Sequence, residues 1–237
     1  MHLASHEEPH ERSARATPSA RAGITLQHLD PGDATLRAGL AGWERLARSL
    51  LGAGELDAET RPRLEDDLRI VEELSHVLAG AEPGEGRARE RQLVAVSGGG
   101  RLQGACSFFE CTGGVFIELL ATAPWNLLRH GGARDPRSVK GVGAAILAHA
   151  VELSAAGGHG GRLALQAENP RCLEHYLRLG FAPMSAHDDP FSLVPRGERG
   201  FSPSVLRMAR GQPGPEERAT PWLVLDPRRG ERALRAA

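Results

Sequence analysis

The hydrophobic residues of this chain recur with two different periods. Two early segments, residues 34–50 and 58–78, place apolar side chains three or four positions apart, which is typical of a helix that packs one face on a core. Other segments alternate apolar and polar positions as strands do, with turns between them. These strands are predicted at residues 23–29, 92–97, 102–110 and 114–122. The last three follow one another closely, so the pattern predicts an antiparallel meander.

A second block of elements occupies residues 138–181. A helix is predicted over residues 141–156 and a strand over residues 162–167. Asn169 and Pro170 then begin another helix. Because a helix crosses between them, the strand at 162–167 is expected to lie parallel to the last strand of the meander.

The pattern predicts one folded α+β domain at about residues 23–210. It would contain four main helices and a mostly antiparallel sheet of six or seven strands. Residues 1–22 are polar and aperiodic, which predicts a disordered lead-in, and residues 211–237 are expected to form a tail. Three later apolar segments are predicted as further strands: residues 191–194, residues 205–209 and, as an edge strand or docking segment, Trp222–Leu225.

Charge and composition narrow the possible partners. The 29 basic and 30 acidic residues give a formal net charge of −1, which provides no general attraction for nucleic acid or an anionic membrane. No apolar run approaches the ~20 residues that span a bilayer. The three cysteines, Cys106, Cys111 and Cys172, are spaced unlike zinc ligands, so we expect reduced thiols, no metal and a cytoplasmic protein.

The glycines at the start of the third helix indicate a phosphate site. The first N–H groups of a helix have no partner within the helix and carry the positive end of its dipole. Glycine lets an anion approach these groups closely. A dinucleotide fingerprint would need a further glycine where Ile146 stands, which disfavours a nicotinamide cofactor.

The order helix, strand, Asn, helix, Tyr and Gly-Phe resembles the acyl-CoA-dependent N-acyltransferases of the GNAT superfamily. A motif of that superfamily spaces five positions as Asn169, Cys172, Tyr176, Gly180 and Phe181 are spaced here. The resemblance implies a GNAT-like fold, in which a parallel pair of strands at the centre of the sheet splays apart and holds the cofactor.

The resemblance also implies a site for acetyl-CoA or another acyl-CoA. The pyrophosphate would lie on the turn into the third helix, where Ser138 replaces the usual Gln or Arg and where Arg137 or Lys140 would supply positive charge. The pantetheine arm would bind along the backbone between residues 120–122 and 165–167. The residues assigned to the cofactor are Leu120, Ala121, Thr122, Ser138, Val139, Lys140, Gly141, Val142, Gly143, Ala144, Asn169, Cys172 and Tyr176.

Acyl transfer to an amine needs a base for the amine and an acid for the leaving thiolate. Tyr176 is the candidate acid, because a phenol stays protonated at neutral pH. Glu118 is the candidate base, since it lies two residues before Leu120 and is expected on the same face of the strand. Glu110 is the reserve candidate.

The sequence leaves the acceptor open. A small primary amine or an amino-acid derivative is the expected acceptor, and a monomer or homodimer is the expected assembly. The alternative is a catalytically inactive GNAT-like domain that binds CoA or a protein partner. This alternative is retained because the connection at residues 124–137 is longer than is usual in the superfamily.

Overall fold

The computed structural model of the chain describes residues 16–18, 23–30, 32–79, 91–130, 133–196 and 202–226. The strands within these residues are β1 (Ala16–Pro18), β2 (Ile24–Leu29), β3 (Arg91–Gly98), β4 (Arg101–Cys111), β5 (Gly114–Thr122), β6 (Arg129–His130), β7 (Ala133–Arg134), β8 (Leu163–Gln166), β9 (Phe181–Pro183) and β10 (Trp222–Leu225). The helices are α1 (Ala34–Ala53), α2 (Thr60–Ala79), α3 (Val142–Ala156), α4 (Pro170–Arg178), α5 (Pro190–Leu193), α6 (Pro203–Ala209) and α7 (Pro215–Ala219). Of the lead-in predicted to be disordered, only β1 is described, and it pairs with β2.

The described strands form one large mixed sheet and a separate two-stranded hairpin. The order in the large sheet is β1-β2-β3-β4-β5-β8-β10-β9, and the hairpin is β6-β7. Neighbouring strands of the large sheet are antiparallel, except that β5 and β8 are parallel. The predicted α+β class, the meander and the central parallel pair are therefore confirmed.

The parallel strands β5 and β8 pair over a short distance and then diverge. Their register joins Val115 to Leu163 and Phe116 to Ala164. A bulge follows on β5, because Ser107 of β4 pairs with Leu119 while its neighbour in β4 pairs with Ile117. A bulge bends its strand and increases the local twist. The carboxyl ends of β5 and β8 therefore leave a gap at the centre of the sheet.

Helices cover both faces of the sheet with apolar side chains. On the α3 face, Val142 and Ile146 are 3% and 2% exposed, and on the opposite face Trp43 of α1 and Leu74 of α2 are each 1% exposed. Burial of a large apolar side chain is worth about 1.5–3 kcal/mol, which holds the helices on the sheet. Gly104 of β4 permits the close approach of α3, since a Cβ there would lie 2.5 Å from Val142 Cγ1. None of the described helices is both long enough and apolar enough to cross a membrane.

Two of the predicted terminal strands are wrong. Residues 191–194 and 205–209 lie in or beside the helices α5 and α6. Both segments are helical because each helix begins with a proline at its first position, where proline favours a helix start. The hydroxyl of Ser202 also accepts a hydrogen bond from the N–H of Val205, which caps α6.

Strand β10 is an inner strand rather than an edge strand. It pairs with β8 on one side and with β9 on the other. All four of its residues are buried, as is usual for a strand covered on both faces. The segment Trp222–Leu225, which the sequence analysis assigns to a tail, is therefore part of the large sheet.

A histidine pair joins β2 to α3. The Nε2 atoms of His28 and His149 lie 2.8 Å apart, so one neutral ring donates an N–H to the other. Burial, and then the neighbouring His28, lowers the pKa of His149 to about 4. Burial also lowers the pKa of His28, and Glu110 partly opposes this.

This pair predicts a loss of stability in acid. Below the ordinary histidine pKa of about 6.5 the unfolded chain takes up a proton at residue 149, whereas the folded chain does so only near pH 4. The free energy of unfolding contributed by His149 should therefore fall by roughly 3 kcal/mol as the pH drops through this range. We expect His149→Gln to unfold in urea with a smaller pH dependence than the parent.

His187→Gln, which removes an exposed histidine instead of a largely buried one, is the matched control. Identical slopes of unfolding free energy against pH in the parent and in His149→Gln would contradict the prediction. Titrating groups that do not contact residue 149 cancel in this comparison, since the parent and the variants share them, whereas His28 contacts His149 and forms part of the measured difference.

Candidate active site

The N-terminus of α3 offers backbone donors beside the gap between β5 and β8. Gly141 caps the helix with a φ of 84°, a left-handed conformation that favours glycine, and no side chain caps the helix there. The first helical hydrogen bond runs from Ala145 N–H to Gly141 O, so the preceding amides have no partner within the helix. A Cβ added to Gly143 would meet only Leu120 Cδ2, at 4.0 Å. Space is therefore present beside Gly143 at the start of α3. The phosphate site itself stays a prediction.

The connection that enters α3 is held by a buried amide. Gln103 of β4 is 1% exposed, and its Nε2 donates to the carbonyl oxygens of Gly98 and Arg137 at 3.1 Å each. Its Oε1 accepts from Trp125 Nε1 at 3.0 Å. Asn126 continues this network, because its Oδ1 accepts from Val139 N–H at 3.0 Å. These hydrogen bonds hold the described residues around Trp125, Asn126 and Arg137 against β4.

The side chain of Arg137 is held by contacts within this connection. Its Nε and one terminal nitrogen donate to the carboxylate of Asp135 at 2.9 and 2.6 Å, and its guanidinium lies 5.2 Å from the centre of the Trp125 ring. Asp135 is itself buried at 4% exposure. Of the two neighbours expected to supply charge, Lys140 is therefore the better placed, since it is exposed and lines the cleft described next.

A cleft of about 510 Å³ lies between α2, the end of β5, the start of α3 and α4. Nearly all the predicted cofactor residues line it: Leu120, Thr122, Ser138, Val139, Lys140, Gly141, Val142, Gly143, Ala144, Asn169, Cys172 and Tyr176. Ala121 differs, because its side chain is buried on the opposite face with α1 and α2. The structure thus brings together in one cleft residues that are 56 positions apart in the chain.

The sequence reasoning missed the contribution of α2 and most of the charge of the cleft. Helix α2 adds Arg63, Asp66, Asp67 and Ile70, which lie one helical turn apart on one side of the helix. The cationic residues of the cleft are Arg63, Arg134, Lys140, Arg171 and Arg178. Five cations against two aspartates favour an anionic ligand. Helical spacing could have pointed to the α2 residues, whereas no sequence signal pointed to Arg134.

Helix α4 positions Tyr176 within the cleft. Asn169 caps the helix, and its Oδ1 accepts from Cys172 N–H at 2.9 Å. The other side of its amide, Nδ2, donates to Asp66 Oδ2 at 2.7 Å, which ties α4 to α2. The ring of Tyr176 packs 5.4 Å from that of Phe181. Burial, followed by the nearby Cys172 and Cys106 thiols, raises the pKa of Tyr176, so its hydroxyl is protonated at neutral pH.

The sequence predicted that Glu118 and Leu120 share a face of β5, and this prediction is wrong. Leu120 packs with the α3 face of the sheet, whereas Glu118 lies on the α2 face. The bulge explains the difference, because Glu118 is the extra residue of β5 and shifts the alternation by one. Its carboxylate accepts from Arg91 at 2.8 and 2.9 Å and from Ser107 Oγ at 3.0 Å. Glu110, the reserve, accepts from Gln92 Nε2 at 2.7 Å.

Glu118 lines a second cavity, of about 740 Å³, on the other side of α2. The residues of this cavity are Arg69, Glu72, Glu73, His76, Val77, Phe116, Glu118, Leu119, Gln166 and Glu168. Arg69 forms ion pairs with Glu73 and with Glu168, and the second pair spans the gap from α2 to the segment after β8. Helix α2 therefore separates two cavities that both reach the divergent strands.

Comparisons with known proteins give structural matches alone. No family model matches the chain, and no curated protein matches its sequence. The chain is similar to the PaiA N-acetyltransferase from Thermoplasma acidophilum in complex with coenzyme A, with 15% identity, a TM-score of 0.41 and coverage of 68% of this chain and 91% of that chain. It is similar to aminoglycoside 6'-acetyltransferase type Ii, with 15% identity, a TM-score of 0.41 and coverage of 84% and 94%. It is also similar to an acetyltransferase from Thermus thermophilus, with 15% identity, a TM-score of 0.43 and coverage of 85% and 96%.

The fold itself follows from the strand order of this chain. The antiparallel meander, the crossover helix α3 and the parallel pair that diverges beside it form the arrangement implied by the sequence resemblance. The chain therefore has a GNAT-like α+β fold.

Proposed function

We propose that the protein is an acyl-CoA-dependent N-acyltransferase of the GNAT superfamily. It would transfer an acetyl group from acetyl-CoA to a primary amine by direct attack in a ternary complex. The observation that carries this proposal is the meeting of three features in one cleft: the amides at the start of α3, the divergent end of β5 and the hydroxyl of Tyr176.

The cleft suits the different parts of an acyl-CoA. The pyrophosphate would accept hydrogen bonds from the amides at the start of α3, with Lys140 and the arginines of the cleft balancing its charge. The pantetheine arm would run along the backbone of β5 at Leu120 and Thr122, where β8 no longer pairs with it. The thioester would then approach Tyr176.

The acceptor amine would enter through the second cavity, beside Glu118. Four glutamates line this cavity, and their charge favours a protonated amine even though Arg69 neutralises part of it. A carboxylate has about four acceptor positions, so Arg91 and Ser107 leave Glu118 able to accept from an amine or a bridging water. We keep Glu118 as the proposed base on this ground.

The reaction forms a C–N bond and breaks the C–S bond of the thioester. The ammonium group of the acceptor first gives a proton to Glu118, and its nitrogen then attacks the thioester carbon. The leaving thiolate takes the hydroxyl proton of Tyr176, and the proton that the nitrogen loses on forming the amide restores that hydroxyl.

The second candidate function is a domain that binds CoA without catalysis. The contacts of Glu118 with Arg91 and Ser107 favour it, because they engage most of the acceptor capacity of the proposed base. Thiol release from acetyl-CoA, measured against a panel of primary amines, separates the two candidates. Amine-dependent release supports the enzyme, whereas acetyl-CoA binding without release supports the second candidate.

Substitution of Gly143 tests the phosphate site. We expect Gly143→Glu to abolish acetyl-CoA binding in titration calorimetry, because its carboxylate would fill the space before the α3 amides and repel the pyrophosphate. Gly143→Ala is the matched control, since a Cβ meets no close atom there. Unchanged affinity in Gly143→Glu would mean that the phosphates bind elsewhere.

Substitution of Tyr176 tests the acid. Tyr176→Phe keeps the ring that packs on Phe181 but removes the proton of the hydroxyl. Acetyl-CoA affinity should survive while kcat falls by about 10²–10⁴-fold, towards the low end because CoA thiolate leaves readily. Such a change places the lost interaction in the transition state. An equal kcat in the variant and the parent, with chemistry limiting the rate, would exclude Tyr176 as the acid.

A further inference from the structure

Side chains from β3 and β4 hold the carboxylate of Glu118. Nε of Arg91, at the start of β3, donates to Oε2 at 2.8 Å, and a terminal nitrogen of the same guanidinium donates to Oε1 at 2.9 Å. The hydroxyl of Ser107, in β4, donates to Oε2 at 3.0 Å. The side chains of Arg91 and Glu118 are 23% and 26% exposed, whereas Ser107 is fully buried. The carboxylate therefore lies where the sheet borders the second cavity.

Arg91 reaches Glu118 across the intervening strand β4. Neighbouring strands lie ~4.8 Å apart, so the side chain of Arg91 must cross the width of β4. Its guanidinium lies 5.1 Å from the centre of the ring of Phe109, the residue of β4 with which Arg91 is in register. The bulge of β5 turns Glu118 onto this same face. The aromatic ring and the bulge thus bring the two charged groups together.

The contacts leave the two oxygens of Glu118 unequally occupied. A carboxylate oxygen has about two acceptor positions. Oε2 uses both, one for Arg91 and one for Ser107, whereas Oε1 accepts only the bond from Arg91 among the described residues. The acceptor position that is left on Glu118 therefore belongs to Oε1.

We propose that Arg91 is a positioning residue for the deprotonation of the acceptor amine, because its planar fork fixes the carboxylate of Glu118 with Oε1 open. This inference rests on the proposed function. Arg91 lines neither cavity, so it acts through Glu118. A guanidinium suits the role because it always carries its charge and binds both oxygens of a carboxylate at once, whereas an ammonium is a point charge.

The step that Arg91 supports is a single proton transfer. An N–H bond of the acceptor ammonium breaks, its electron pair stays on the nitrogen, and the proton forms an O–H bond at Oε1. Glu118 later releases this proton to water. Arg91 and Ser107 keep their hydrogen bonds throughout, so the carboxylate does not turn away from the amine.

The pH dependence of kcat/KM, measured as amine-dependent thiol release, separates the fork from the charge. Arg91→Met removes both, so the maximum of kcat/KM should fall by about 10-fold, less than the ~10²–10⁴-fold expected for loss of a general base. The acid limb should also move to higher pH, because a positive neighbour favours the charged carboxylate. Arg91→Lys keeps the charge, so its maximum should fall while its acid limb stays nearer that of the parent.

The control for loss of an arginine is Arg101→Met. Arg101 is exposed and pairs with Gly98, at the other end of β3 and β4, so both the maximum and the acid limb should stay as in the parent. The other charged or titratable groups near Glu118 are the same in the parent and in every Arg91 variant. These groups are Arg69, Glu72, Glu73, His76, Glu168 and the buried thiol of Cys106.

A double-mutant cycle distinguishes positioning from a structural ion pair. If Arg91 acts through Glu118, Arg91→Met should cause no further loss of kcat in a Glu118→Gln background. Equal losses in both backgrounds, or an unchanged maximum in Arg91→Met or Arg91→Lys, would overturn the positioning role. Arg91→Lys answers the question by itself should Arg91→Met not fold.

The same measurements separate this inference from the proposed function. The Kd of acetyl-CoA should be unchanged in the Arg91 variants, because Arg91 does not line the cleft of α3 and α4. A parent kcat in Glu118→Gln would remove Glu118 as the base and this inference with it, whereas the transferase activity itself would stand. Absence of amine-dependent thiol release in the parent would overturn the proposed function.

Discussion

The divergence of β5 and β8 is the constraint on which the rest of the site depends. Two neighbouring strands normally satisfy each other's backbone groups, but here the pairing stops after Phe116. The bulge at Glu118 bends β5, while β10 pairs along the other edge of β8 from Leu163 to Gln166. One strand is bent and the other is held, so the gap is a built feature of the sheet. Backbone donors that face such a gap must bind a side chain, water or ligand.

Helix α2 lies beside the gap between β5 and β8. One side of the helix buries Leu64, Val71 and Leu74. Its polar side supplies Asp66 to the side chain of Asn169. The helix thereby lies between the end of β5 and the segment after β8, and it divides the space into two cavities. A change in the position of α2 would alter both cavities together.

Buried hydrogen bonds hold the segment that precedes α3 in place, as apolar packing holds the helices on the sheet. Gln103 satisfies backbone and side-chain groups of three separate segments, although it is almost fully buried. In a buried site each of these groups would be costly if unpaired. The network therefore fixes the positions of the residues that it contacts. Apolar contacts, which have no preferred direction, would fix these positions less closely.

The sequence by itself determined the elements whose signals are local. Apolar periodicity predicted α1, α2 and the meander, and Asn169-Pro170 predicted the start of α4. The family resemblance carried by residues 169–181 implied that Tyr176 would lie at the cleft, and it does. Tertiary structure decided what depends on partners distant in the chain. Glu118 lies on the opposite face from the one expected, because a bulge shifts the alternation of a strand and has no sequence signature. Trp222–Leu225 is an inner strand because it pairs with β8 on one side and with β9 on the other. Asp67 lies in the cleft for the same reason, since a helical period predicts which side of a helix a residue occupies but not what lies opposite that side.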